Sequence, residues 1–386
     1  MPYRKQPIGD WKGWDNSSPA IMLEPNSFKQ IINWLINKGR LYPFPKLGDF
    51  PSLPGNNKTV LGMRTFQDAL GNYHTLFLNS DQPFYLNADG TYNPLFDPSG
   101  NMFSPTNNAF FSIEVYLNQP FFANGGAPLS YVQGDQGFYT AGNVPGSCYF
   151  LGKLASHLMM VNTIEPVAGT LGSMNFPARV RWSASGDPTQ WDLSVDLTAG
   201  AEDISDVEDQ LTGWSTIGSN GYAFRNNGIT VFSPTGIGTA PFYVENFSIG
   251  PQGVGCSIPY TLATYGPFCT FVALDDIYIF DGGAPNRIGG KAKKSIFRDI
   301  DTSVAPVSAF MMGTLLGGTD FLSYWLSCPQ VGNVTSMWIY HFDSQSWVNI
   351  QLPFGALSYL QNVAGVAGLD TFGWGLNWGT LWGEGL

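Results

Sequence analysis

The chain offers only three imidazoles, His74, His157 and His341, far apart in sequence. None stands beside a serine or cysteine nucleophile motif or at metal-ligand spacing. No GxSxG, HExxH or Walker-type loop occurs. Cys148, Cys256, Cys269 and Cys328 are widely spaced and without a CxxC pair, so they are expected as buried free thiols. Carboxylates are the remaining route to chemistry, because glycoside cleavage needs two of them at a set separation. Glu202-Asp203 with Asp206-Val-Glu208-Asp209 forms an acidic run, expected as a solvated loop between strand units. Asp275-Asp276 sits between two strong strand runs and is expected to cap their hairpin. Asn87-Ala-Asp89-Gly90-Thr-Tyr-Asn93 lacks the further acidic positions of a calcium loop and is expected as an Asp-Gly hairpin turn. The residues thus predict a protein that is not an enzyme, with no cofactor and no metal.

The candidate interaction residues are of two kinds. Arg287, Lys291, Lys293, Lys294 and Arg298 make the densest cationic patch in a chain of net charge −11. It reads either as a solvated strand edge, where lysines discourage edge pairing, or as an electrostatic dock for an acidic neighbour. Gly282-Gly283 and Gly289-Gly290 read as turns, with no helix expected behind them to cradle a phosphate. Trp11 and Trp14 lie in a polar, Gly-containing lead and are aromatics of the sort that anchor interfaces. The acidic balance argues against gripping phosphates, since nucleic-acid binding leaves a basic footprint. It suits a surface that DNA passes without sequence-specific binding, and equally an ordinary acidic protein.

Composition says which elements hold these residues. Charged residues are 12% and aromatics 15%, with 46 glycines and 27 prolines and no collagen-like period. That describes many short strands joined by tight turns, not a disordered chain. The N-terminus has no apolar run behind its basic residues, which predicts no signal peptide and a cytoplasmic site of synthesis. No window reaches eighteen uninterrupted apolar residues, so no membrane-spanning segment is expected.

Residues 1–58 read as an N-terminal arm. Within it Asn26-Ser27 precedes a stripe at Phe28, Ile31, Ile32 and Leu35 that ends at Gly39, which predicts one short amphipathic helix followed by a Pro-rich extended loop. From residue 59 the helical period disappears. Strand runs recur in pairs, such as Tyr222–Phe224 and Ile229–Phe232 about the turn Arg225-Asn226-Asn227-Gly228. At about 45 residues per four-stranded unit, 59–386 would supply six or seven units. The expected fold is all-β: a β-propeller of about six or seven blades, since radial stacking covers both faces of each small sheet. The C-terminal Trp374-Gly-Leu-Asn-Trp378-Gly-Thr-Leu-Trp382 is short of a full blade, so N-terminal residues are expected to complete the last one.

Several stretches resemble known families. Ser183-Ala-Ser185-Gly186-Asp187-Pro188-Thr189-Gln190-Trp191 is similar to the Asp-box turns of sialidase propellers, with Asp and Gly out of order; that box is structural. Ile21-Met22-Leu23-Glu24-Pro25 through Gly39-Arg40-Leu41-Tyr42-Pro43-Phe44-Pro45 resembles the opening of tail hub proteins of short-tailed bacteriophages. Ala178-Arg179-Val180-Arg181-Trp182-Ser183 through Trp191 resembles a strand of phage tail-tube and nozzle propellers. Gly221–Phe232, Gly250–Cys256, Phe271–Tyr278 and Asp281-Gly282-Gly283 follow in the same order as in those proteins. The resemblance spans roughly residues 20–345.

It implies a structural virion protein of a bacteriophage tail or head–tail neck, assembled in the host cytoplasm. Its place would be a nozzle or tail hub component near the DNA ejection channel. The implied partners are other tail or neck proteins (adaptor, portal-proximal ring, platform or fibre proteins) and further copies of itself, with a six-fold ring as the family's usual arrangement. Members commonly continue into a platform domain, whereas this sequence stops at Leu386. The platform is therefore expected from a separate chain, or the protein is a peripheral collar or neck decoration. The alternative reading is a glycan-binding or glycan-cleaving propeller for host recognition, with Trp374 and Trp378 as sugar-stacking aromatics.

Overall fold

In the computed structural model, residues 60–352 are described apart from 72, 80–81, 87–91, 100–108, 127–128, 133–136, 141–145, 167–171, 205–208, 248–252, 304–305, 317–318 and 333; of the N-terminal segment, 13–15, 27–28, 32, 34–37 and 40–43 are described. That segment corrects the helix expectation. Strands β1 (Gly13–Trp14) and β2 (Ser27–Phe28) pair in parallel, and β3 (Trp34–Asn37) pairs antiparallel with β4 (Arg40–Pro43). Of the stripe Phe28, Ile31, Ile32 and Leu35, the aromatic residue and the two β-branched isoleucines suit strands as well as helices. Gly39, read as a helix C-cap, lies outside the described residues, while Asn37 and Arg40 on either side of it pair as strand residues.

From Gly62 onward, each group of four consecutive strands forms one antiparallel sheet, and there are six such sheets among the described residues. The first is β5 (Gly62–Gln67), β6 (Tyr73–Leu78), β7 (Pro83–Leu86) and β8 (Tyr92–Pro94). The second is β9 (Ser112–Tyr116), β10 (Gln119–Ala123), β11 (Ser130–Val132) and β12 (Phe138–Thr140). The third is β13 (Ser147–Leu154), β14 (His157–Pro166), β15 (Ser173–Trp182) and β16 (Gly200–Asp203). The fourth is β17 (Leu211–Ile217), β18 (Asn220–Arg225), β19 (Ile229–Pro234) and β20 (Phe242–Phe247). The fifth is β21 (Ala263–Tyr265), β22 (Phe268–Val272), β23 (Ile277–Phe280) and β24 (Asn286–Arg287). The sixth is β25 (Ser308–Leu316), β26 (Thr319–Gln330), β27 (Val334–His341) and β28 (Ser346–Leu352). This is a six-bladed β-propeller.

Tight turns make the blades. Tyr116 pairs with Gln119, Leu154 with His157, Ile217 with Asn220 and Tyr265 with Phe268, each across a two-residue loop. Leu117 and Asn118 both take positive φ, 49° and 62°, the primed geometry whose twist matches the flanking strands. The Arg225–Gly228 hairpin forms as expected, with Arg225 N donating to Gly228 O at 2.8 Å.

The first strands of successive blades face one another around the axis and run the same way. Leu151 N of β13 donates to Ser112 Oγ of β9 at 2.8 Å, and Ser215 of β17 meets Thr264 of β21 at 2.9 Å. Aromatic side chains fill the seams between blades, which is where the unusual aromatic content goes. Between blades 4 and 5, Phe224 packs at 5.0 Å from Phe271 and Tyr222 at 5.0 Å from Phe280. All four cysteines are buried free thiols, as expected.

The sixth blade draws its four strands from consecutive chain, so the N-terminal residues are not one of them. They lie instead along its outer strand. Ile32 bridges Asn349 of β28 in parallel, and Phe28 and Ile32 pack on the seam of blades 5 and 6. An outer strand is an open edge, and this segment covers it. The C-terminal Trp374–Trp382 stretch and the Asn87–Thr91 turn fall outside the described residues.

One helix is described, where none was expected. A 3-10 turn, Gly290–Ala292, leads into α1 (Lys293–Asp299) between β24 and β25. Ala292 and Ile296, four apart, bury one face against blades 5 and 6.

Candidate functional site

The structure places the cationic residues around α1. Lys291, Lys293, Lys294 and Arg298 share the helical segment, and Arg287 stands on β24 beside it. Among the described residues each cation but Lys294 has an acidic neighbour: Arg287 Nη2 lies 2.6 Å from Asp275 Oδ2, Lys291 Nζ 3.0 Å from Asp15 Oδ2, Lys293 Nζ 3.6 Å from Asp276 Oδ2 and Arg298 Nε 3.4 Å from Asp299 Oδ1. Lys294 is exposed and has no ion pair among the described residues. Arg287 Nε also donates to Tyr278 Oη at 2.9 Å, and that bond raises the guanidinium's pKa. Burial raises the Tyr278 phenol, with the arginine bond acting against it.

Gly289-Gly290 does precede a helix, contrary to expectation, yet the turn there already holds an acid. Asp276 Oδ1 accepts from Gly289 N at 3.1 Å and from Ile277 N at 2.8 Å. Asp276 therefore caps the β22–β23 hairpin, as its position in the sequence suggested, whereas Asp275 accepts from Tyr278 Oη at 2.9 Å and from Arg287. At the other end of α1, Asp299 Oδ2 accepts from Trp338 Nε1 at 3.0 Å and Ser336 Oγ at 2.8 Å, tying the helix to blade 6.

Trp11 lies outside the described residues, and Trp14 belongs to β1. The adjoining Asp15 is buried and reaches Lys291. This end of the arm packs on its own propeller, which brings the two expected interface elements to one place.

The Glu202-Asp203 pair is strand and not loop. It closes blade 3 as part of β16, where Arg179 grips Asp203 through two bonds of 2.6 and 2.7 Å. Arg179 and Arg181 both reach Glu165 Oε2, at 3.1 and 3.2 Å, while Thr163 Oγ1 donates to Oε1 at 2.8 Å. The Asp203 bond chiefly raises the Arg179 pKa, whereas burial lowers that of Arg181. A buried carboxylate held by two guanidiniums is a structural tie and not a free acid or base. The Asp-box-like stretch is structural too: Asp187 Oδ1 accepts from Thr189 N and Oγ1, and the fully buried Trp191 donates to Pro188 O at 2.8 Å.

The histidines also serve packing. His74 reaches Asp68 at 2.9 Å and stacks between Phe66 and Tyr85. His157 Nδ1 meets Ser183 O at 2.7 Å. His341 is buried in β27, and burial pushes its pKa down to about 3.

Sequence reasoning missed the hub. The connection from blade 4 to blade 5 enters the propeller's centre as the turn Cys256–Thr261. The Tyr260 ring meets Phe110, at the entry to blade 2, and Phe150 of blade 3, each at 5.4 Å. Its carbonyl accepts from Ala309 N of blade 6 at 2.9 Å. Thr212 of blade 4 donates to Cys256 O at 2.7 Å, and Tyr324 of blade 6 to Thr261 O at 2.9 Å. One turn thus ties blades 2 to 6 and seats an aromatic ring on the axis. Beside it lies a shallow depression lined by Ser112, Phe150, Thr212, Trp214, Tyr260 and Leu262 among others.

No family model and no curated protein matches the chain. Among solved structures, the chain is similar to virginiamycin B lyase from Staphylococcus aureus, with 9% identity over 79% of this chain and 87% of that one and a TM-score of 0.47. It is also similar to BamB from Moraxella catarrhalis, with 9% identity over 76% and 83% and a TM-score of 0.38. Likeness at this level carries no functional argument.

Proposed function

We propose that this chain is a structural, non-catalytic protein of a bacteriophage virion, built into the tail or the head–tail neck, with the nozzle as its favoured position. The observation that carries the reading is the order of the motifs shared with short-tailed phage tail propellers. They fall on successive blades: Ala178–Trp191 on blade 3, Gly221–Phe232 on blade 4, and Phe271–Tyr278 on blade 5. Fold alone would not support it, because propellers host many functions.

The occupied acids support the non-catalytic half. Glu165, Asp276 and Asp299 are each committed to arginines, backbone amides or indole and hydroxyl donors, so they bind the blades together. The hub bears on DNA. With Tyr260 on its axis the propeller is a filled disc, and DNA would pass along its outside, between copies or beside neighbouring proteins. The acidic balance suits such a bystander surface.

Mass spectrometry of purified particles of the phage that encodes this chain tests the proposal. The chain should appear in stoichiometric amount; its absence from particles overturns the reading. A glycan array with a hydrolysis assay tests the host-recognition alternative, which predicts specific binding or turnover where our reading predicts neither.

A further inference from the structure

The two faces of the disc differ in how their charges are matched. In an antiparallel four-stranded blade, the first and third turns fall at one end, and the second turn and the connection to the next blade at the other. Because the first strands run the same way, the first and third turns of all the blades share one face. No lysine or arginine occurs in any of those turns. Asp187, Asp192, Asp196, Asp281 and Asp343 lie in them without a salt bridge among the described residues, and Asp68 meets the imidazole of His74 at 2.9 Å. Around α1 on the other face, Arg287, Lys291, Lys293 and Arg298 are matched by Asp275, Asp15, Asp276 and Asp299.

The same acidic face exposes most of the aliphatic surface. Leu70, Leu117, Leu193, Val195, Leu197 and Ile237 lie in its turns and are 52% to 87% exposed, whereas among the described residues the turns of the other face expose Leu274 and Val331. The side chains are densest on blades 3 and 4, where the β15–β16 loop carries Leu193, Val195 and Leu197 and the β19–β20 loop carries Ile237. The two loops abut. A Cβ built on Gly238 would sit 3.7 Å from Thr198 Cγ2, and Trp182 of β15 meets Phe242 of β20 edge-on at 5.3 Å. Scattered exposed aliphatics are ordinary, but four on adjoining loops form a patch.

The patch is rigid as well as acid-rimmed. Asp192 Oδ1 accepts from Ser194 N and Oγ at 2.8 and 2.7 Å, and Asp196 Oδ1 accepts from Thr198 N and Oγ1 at 2.8 and 2.7 Å. These donors hold both carboxyls below their usual range, so they are ionised at neutral pH. Asp187 stands exposed in the same loop. A loop set in this way before a partner arrives loses little freedom on docking.

We infer that this patch docks a different protein, through a basic segment with an apolar stripe. The stripe covers Leu193, Val195, Leu197 and Ile237, and the segment's lysines or arginines reach Asp187, Asp192 and Asp196. The aliphatic side chains call for an apolar counterpart, which a small cation or a polyamine does not offer. The unmatched carboxylates repel anionic lipid and nucleic acid. A second copy is a poor occupant too. Its cations around α1 other than Lys294 are already paired, and its matching face carries the same acids. The inference concerns one face of the disc and is tested on the purified chain, so it and the virion reading can fail separately.

Fluorescence anisotropy of a labelled amphipathic leucine–lysine peptide, titrated with the full chain, reads the site. A leucine–glutamate peptide of the same pattern and phosphatidylglycerol vesicles are the comparison probes. The leucine–lysine peptide should bind, more weakly as salt rises, and the other two should not. Leu193→Ser with Val195→Ser should weaken binding by roughly tenfold. Asp192→Asn with Asp196→Asn, which keeps the Oδ1 acceptors of the loop, should weaken it by roughly fivefold at low salt and flatten the salt dependence. Glu202→Gln with Glu245→Gln removes the same charge from exposed positions on the outer strands of the same blades and should leave binding unchanged, as should Leu274→Ser on the other face. Unchanged circular dichroism and thermal unfolding will show that the variants fold. No binding of the leucine–lysine peptide, a loss that the control variants share, or undiminished affinity in either patch variant would overturn the inference. So would vesicle binding or self-association that the patch variants abolish, since the occupant would then be lipid or a second copy.

Discussion

Replacing Tyr260 tests the sealed hub, because two contributions there oppose each other. Among the described residues its ring packs against Phe110 and Phe150. Pairs of this kind contribute about 0.5–1.5 kcal/mol each beyond simple burial. With the ring's burial, Tyr260→Ala should cost about 2–4 kcal/mol. The backbone, however, sits at φ 67°, in the left-handed region that costs a residue with a Cβ about 1 kcal/mol. Tyr260→Gly removes the same ring and also that strain. It should therefore be about 0.5–1 kcal/mol more stable than Tyr260→Ala, the reverse of the usual order for the two residues. Urea unfolding followed by tryptophan fluorescence gives both midpoints at common slope. Alanine at or above glycine would refute the strained turn, and both variants within about 0.5 kcal/mol of wild type would refute the plug.

Three further outcomes follow from packing and charge. Gly152→Ala should destabilise by about 2 kcal/mol or more and shift tryptophan emission, since its Cβ would fall 1.9 Å from Trp214 Cδ1; an unchanged melting temperature would contradict this seam. Asp299→Ala strips Trp338 Nε1 and Ser336 Oγ of their shared acceptor and should cost about 2 kcal/mol in thermal or urea unfolding, with loss of protection in α1 by hydrogen exchange. His341 is held down to about 3 against an ordinary 6.5, so below 6.5 the unfolded chain takes up a proton that the fold refuses. Its share of stability is complete above 6.5 and is lost as pH falls toward 3, about 2 kcal/mol of it by pH 5. Substituting His341 with Gln should flatten that part of the stability–pH curve, and an identical slope would count against its burial as the neutral form.

Local features were legible where turn chemistry is local. Arg225-Asn226-Asn227-Gly228 and the bond of Asp276 to the next residue's amide are decided by residues within a few positions, and both formed as read. The stripe from Phe28 to Leu35 failed because Ile and aromatic residues satisfy either period, and the choice is made by a distant partner, Asn349 of β28. Helix α1 hid for the opposite reason: it is seven residues long, too short to show a helical period, with only Ile296 and Phe297 apolar within it. The acidic pair Glu202-Asp203 is solvent-exposed as read, but it lies in a strand and not a loop, because the partner of Asp203, Arg179, is on the neighbouring strand. A hint was present in Arg179 and Arg181, two apart and so on one face of a strand, as a matched acidic cluster requires. Tyr260 gave no signal, since a hub residue is defined only where blades converge.

A density map of the intact particle, fine enough to place this subunit, tests the account most directly. It should show a six-bladed disc in the tail or neck, its axis filled at Tyr260, and DNA running outside that axis. A disc with DNA threaded through its centre, or particles with no such subunit, would contradict it.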